Sequence, residues 1–124
     1  MSDPSTQTTR ALALRQGGFA SGPVPQVPET LAPHLEYLEV SLPTPGPGQV
    51  LIEVIMAPVN PSDLFFVQGG YGQPRVQGTA AGFEGVGRVI GGKGPQAEAL
   101  VGQRVAFLGT ASGSWAAHAV SDAA

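Results

Sequence analysis

Apolar and polar residues in this chain alternate over short stretches, and dense runs of glycine and proline separate those stretches. Residues 10–16 (RALALRQ) alternate and predict a first strand. Residues 17–33 turn to Gly, Pro, Ser and Thr, with Pro23, Pro25 and Pro28 close together, and predict a loop or an insertion. In residues 34–42 (HLEYLEVSL), Leu35, Tyr37 (or Leu38) and Val40 stand against Glu36 and Glu39, an imperfect alternation that still predicts a strand. Residues 43–49 (PTPGPGQ) form a turn that neither a helix nor a central strand accommodates. The β-branched run 50–56 (VLIEVIM) predicts a core strand. Asn60-Pro61-Ser62-Asp63 opens one short helical turn through Leu64, Phe65, Phe66 and Val67, and residues 69–74 are a loop. Residues 84–90 (EGVGRVI) predict a strand whose two glycines point to close backbone approach or a bulge. Residues 103–108 and 114–120 supply two more strands. No stretch carries helical periodicity of any length, no segment repeats, and residues 1–9 read as a disordered leader. Six or so short strands joined by Gly/Pro turns predict a mainly β domain, a partly open barrel or sandwich with short helical turns.

Composition narrows the class. The 124 residues suit one domain. Eighteen glycines and twelve prolines approach the range of disordered sequences, but 42% hydrophobic residues is too high for disorder. No apolar run approaches the roughly 18 residues of a membrane helix, and the polar residues 1–10 lack the apolar core of a signal peptide, so the expected setting is cytoplasmic with no membrane partner. The net charge of −3, with no Lys/Arg cluster, lacks the electrostatic footprint of a nucleic-acid binder. The absence of cysteine excludes a disulfide framework, a thiolate nucleophile and Cys-ligated zinc.

Five segments, in order, carry a family resemblance. Pro45-Gly46-Pro47-Gly48-Gln49-Val50-Leu51 is a turn into a core strand; Pro58-Val59-Asn60-Pro61-Ser62-Asp63-Leu64 is followed by Gly69-Gly70-Tyr71-Gly72; Gly82-Phe83-Glu84-Gly85-Val86-Gly87-Arg88-Val89 is a glycine-rich strand; then come Val101-Gly102-Gln103-Arg104-Val105 and Gly113-Ser114-Trp115-Ala116. Together, over residues 10–124, they resemble the zinc-independent medium-chain dehydrogenase/reductases of the quinone oxidoreductase and enoyl thioester reductase type. The resemblance implies a GroES-like, partly open β-barrel, the N-terminal catalytic domain of such enzymes. It further implies an NADPH- or NADH-dependent oxidoreductase that reduces a quinone, an α,β-unsaturated carbonyl or an enoyl thioester. The cofactor would be held mainly by a Rossmann domain expected beyond residue 124, through which a homodimer would also form; the 124 residues alone are then expected to be inactive. Gly82, Gly85 and Gly87 do not supply that domain's fingerprint, because their spacing is reversed and no helix follows. The zinc-dependent cousins carry a cysteine where Asn60 stands and a histidine where Phe83 stands, so no metal is expected.

The resemblance singles out Tyr71 and Asn60. A phenol is protonated at neutral pH and can donate to an enolate that forms when hydride reaches a conjugated carbonyl; the plainer reading of Tyr71 is a loop cap. Asn60, with two donors and an acceptor, would position the nicotinamide or the substrate carbonyl; the plainer reading is an Asn-Pro turn. Both are the candidate catalytic and cofactor-contacting residues. Phe65, Phe66, Asp63 and Glu84 are the candidate substrate-cleft residues, with Asp63 leaning towards a structural role. Trp115 reads as core or cleft wall, and Arg75 and Arg88 as solvated. The competing class is a free-standing GroES-like binding or assembly module without catalysis, since fold does not fix function.

Overall fold

The computed structural model describes residues 7–108 and 112–123. Its strands are β1 (Gln7–Leu14), β2 (Leu35–Leu42), β3 (Gln49–Met56), β4 (Glu84–Gly92), β5 (Arg104–Leu108) and β6 (His118–Asp122), with two short helices, α1 (Pro61–Val67) and α2 (Pro95–Glu98). All pairings are antiparallel. β1 and β2 form one two-stranded sheet, and the second sheet has the order β5-β4-β3-β6. The mainly β expectation holds, and the two sheets do not close into a continuous barrel.

Segment 112–117 joins the sheets. Trp115 N–H donates to the Ala81 carbonyl, the Trp115 carbonyl accepts from Leu12, Ala117 N–H donates to Arg10, and Val54 N–H donates to Ala117. This changing set of partners is why β6 begins at His118 and not at Ser114 as the apolar run suggests. The same economy of backbone bonding places Gln7–Thr9 in β1, paired with Val40–Leu42, and corrects the expected leader there; residues 1–6 of that leader lie outside the described residues. Helix α2 is a second departure from the sequence reading. Its signal is local, with Gly94 as the N-cap and Pro95 at the first helical position.

Buried side chains follow the period-two pattern in three clusters. Val50, Ile52, Val89, Ala97, Phe107 and Ala119 fill the space beneath the larger sheet. Leu14, Leu35, Phe66, Val67 and Ala81 pack α1 onto the smaller one. Ala11, Ala13 and Val40 of the smaller sheet form a third cluster with Ala80, and Ala116 packs against it. In β2 it is Leu38 that packs inward, while Tyr37 lies outside with the Arg10 guanidinium 5.9 Å from its ring centroid. The glycines of β4 have the expected use. A Cβ on Gly87 would overlap the Glu53 carbonyl of β3, beside the register shift between Val54 and Met56.

Candidate functional site

Asn60 is the N-cap of α1, with extended backbone angles (φ −101°, ψ 158°) and proline at the next position. Its backbone N–H donates to Asp63 Oδ2 at 2.8 Å. The other carboxylate oxygen of Asp63 accepts from the Phe83 N–H at 3.2 Å. One carboxylate therefore links the start of α1 to the segment entering β4. Asp63 is 1% exposed and stands behind the cleft wall, not on it. Burial pushes its carboxyl above the usual carboxylate range; the two backbone hydrogen bonds oppose that rise, and the nearby Glu84 charge adds to it.

Three aromatic rings run outward from α1. Phe66, buried, meets Phe83 with centroids 4.9 Å apart, and Phe83 meets Tyr71 at 5.5 Å. Both contacts are tilted, the geometry that aromatic quadrupoles favour. Phe66 and Phe83 line a cleft of about 480 Å³ whose other walls include Gln73, Pro74, Thr79, Gly82 and Ser112. None of its lining residues is charged. Tyr71 is 43% exposed beside it.

The structure thus brings Asn60, Asp63, Phe66, Phe83 and Tyr71 into one connected set of contacts. It does not bring in Phe65 or Glu84 equally. Phe65 is half-buried and offers its carbonyl to Gly70 N–H at 2.8 Å. Glu84, half-buried, lines a different groove with Met56, Pro58 and Leu108. Phe83 is the site residue that sequence reasoning passed over; its signal was its place between Gly82 and Glu84, where the zinc-dependent cousins carry a ligand. Trp115 packs against the α1 cluster and donates from Nε1 to the Pro58 carbonyl at 3.1 Å, bracing the approach to Asn60. Arg88 is exposed as expected. Arg75 is not; it is 8% exposed, because backbone carbonyls around it satisfy its guanidinium. Among the described residues, no three His, Asp or Glu side chains converge as a metal site, and no helix is long and apolar enough to cross a membrane.

Known proteins resemble this chain in sequence and fold. The sequence profile of the alcohol dehydrogenase GroES-like domain matches residues 46–124. A crystal structure from Mesorhizobium loti assigned as an NADPH:quinone reductase is similar over 99% of this chain and 36% of its own, at 47% identity and a TM-score of 0.86. Prostaglandin reductase-3 of Bos taurus is 39% identical over 80 residues, 64% of this chain and 21% of that protein. The mitochondrial enoyl-[acyl-carrier-protein] reductase of Caenorhabditis elegans is 41% identical over 56 residues, 45% of this chain and 16% of that protein. The chain spans about a third of the length of the Mesorhizobium protein and less of the other two. With nearly two thirds of its length matching one profile, and its sheets superposing on a relative at nearly half identity, the chain belongs to the alcohol dehydrogenase GroES-like domain family.

Proposed function

We propose that this chain is the catalytic-side domain of a zinc-independent, NADPH-dependent reductase that acts on a quinone, an α,β-unsaturated carbonyl or an enoyl thioester in the cytoplasm. The cofactor would be held mainly by a further, Rossmann-type domain that also forms a homodimer. The observation that carries the reading is the half-exposed Tyr71 phenol held against Phe83 beside an uncharged cleft. The names of the relatives supply the reaction class: a quinone reductase using NADPH, a prostaglandin reductase and an enoyl reductase.

The residues present fit a nicotinamide ring. The tilted Phe66–Phe83–Tyr71 run offers an apolar wall, and half-buried Asn60 offers an amide for its carboxamide or for the substrate carbonyl. When bound, NADPH supplies the hydride. The chain's own work is then to seat the conjugated carbonyl in the uncharged cleft, where water screens developing charge less, and to protonate the enolate from the Tyr71 hydroxyl. Asp63 contributes by fixing the backbones of Asn60 and Phe83.

The test is Tyr71→Phe in the longer protein that carries this domain, followed by NADPH oxidation. With an enoyl thioester, kcat falls about 10²-fold, the scale of a positioned acid. With a quinone the loss is smaller, because hydroquinone oxygens take protons from water. Unchanged turnover with the thioester would remove Tyr71 from the mechanism.

A further inference from the structure

Residues 68–75 form a loop around Tyr71, and glycine at 69, 70 and 72 leaves its backbone little intrinsic stiffness. Yet a proton donor must be held in place to be effective. Backbone bonds and the Gln68 side chain, which donates to the Pro25 and Leu64 carbonyls, hold part of it, and one further side chain links its two ends. Arg75 Nη1 donates to the carbonyl of Val67, the last residue of α1, at 3.2 Å. Nε donates to the Gly18 carbonyl at 3.0 Å, Nη2 to the Gly17 carbonyl at 3.4 Å and Nη1 to Gln16 Oε1 at 3.4 Å. The Arg75 backbone exchanges a further pair of hydrogen bonds with Gly18, at 2.8 and 3.2 Å, and Ala20 N–H donates to Gly69 at 2.9 Å. Both feet of the Tyr71 loop are therefore tied to residues 16–20 and, through the guanidinium, to each other.

The packing is close. Gly69 takes φ +83°, and a Cβ there would stand 2.7 Å from Arg75 Nη2. A buried cation is costly to desolvate, and here every acceptor is neutral. The planar fork reaches several carbonyls at once, which an ammonium cannot do in the same geometry. The last carbonyl of α1 also lies at the negative end of the helix, where a cation is favoured.

We propose that Arg75 is the positioning residue for the Tyr71 hydroxyl: by bridging Val67 to Gly17 and Gly18 it closes the loop and holds the phenol against Phe83. This rests on the reading of Tyr71 as proton donor. Arg75 itself is buried and does not line the cleft.

The experiment compares wild type, Tyr71→Phe, Arg75→Gln, Arg75→Lys and the Tyr71→Phe/Arg75→Gln double variant of the full-length reductase. It reads kcat and KM with an enoyl thioester, together with backbone hydrogen exchange. Arg75→Gln lowers kcat about 10- to 100-fold, the scale of a misplaced catalytic group, while KM for NADPH stays close to wild type. Arg75→Lys loses less, the double variant falls no further than Tyr71→Phe alone, and exchange quickens in peptides covering 69–75 and 16–20 but not in β3 or β4. Full kcat in both Arg75 variants, losses that multiply in the double variant, or unchanged exchange at 69–75 would each overturn the proposal. If Arg75→Gln does not fold, Arg75→Lys is judged by the same kcat, KM and exchange criteria. If Tyr71→Phe is fully active the proton-donor reading fails, and the exchange result still decides whether Arg75 fastens the loop.

Discussion

Asp63 shows how one side chain serves a site it does not enter. Each of its oxygens accepts one backbone N–H, so the amide of Asp63→Asn can satisfy only one of them and turns a donor toward the other. Leaving a buried donor unpaired costs about 1–3 kcal/mol, and a lowered urea midpoint of Asp63→Asn is the expected result. Burial raises the folded-state pKa, so the folded protein holds this proton more tightly than the unfolded chain does. The resulting contribution is fully present below the unfolded value near 3.8 and is lost as pH rises through the raised one. The gap between wild type and Asp63→Asn therefore narrows from acid to neutral pH, and a gap that widens would contradict the assignment. Asn60 and Tyr71 were legible as candidates because they sit in a motif. The burial of Arg75 was not, since a lone arginine in a Gly/Pro loop looks solvated until the carbonyls that receive it are brought near.

At the scale of elements, turn chemistry marked most boundaries. The strand 50–56 and the helix opened by Asn60-Pro61 were readable because prolines and glycines bracket them, and β3 and α1 lie within a residue or so of those expectations. The strand at 114–120 was misplaced because an apolar run does not disclose which partner each backbone group finds. Helix α2, with four residues, is too short to leave any periodicity. The glycines of β4 give a prediction at this scale. In Gly87→Ala the new methyl meets the Glu53 carbonyl, so β3 and β4 must separate locally. The expected cost is about 1–3 kcal/mol, as for overpacking in cores, seen as a lower unfolding midpoint with faster hydrogen exchange at the β3–β4 pairing. Wild-type stability in this variant would show that the sheet yields more easily than its register suggests.

Across the whole molecule, residues 16–20, the loop that carries Tyr71 and the end of α1 are hydrogen-bonded around Arg75, and His34 reports on its charge. His34 is half-buried with Nδ1 lacking a hydrogen-bond partner, and its pKa is lowered by burial first and by the Arg75 charge second. The folded state therefore prefers the neutral imidazole. That contribution is present above the unfolded value of 6.5 and is lost as pH falls through the lowered one. Between pH 7 and about pH 5, where a histidine titrates, wild type loses stability that His34→Gln retains, measurable by urea unfolding at each pH. A parallel pH dependence in the two proteins would show that His34 stays equally solvated in both states.

What the amino-acid sequence determined by itself is whatever acts locally or by pattern. Gly and Pro punctuation set the strands, the alternation of apolar positions set a mainly β core, and five ordered motifs marked the family and the candidates Asn60 and Tyr71. What only the tertiary structure decided is whatever depends on residues distant in the chain. The Phe66–Phe83–Tyr71 contact joins segments that sequence separates, Asp63 reaches Phe83 across 20 positions, and Arg75 reaches Gly18 across 57. A buried charge is tolerable only where acceptors converge on it, and that convergence is a property of the folded chain and not of any window along it.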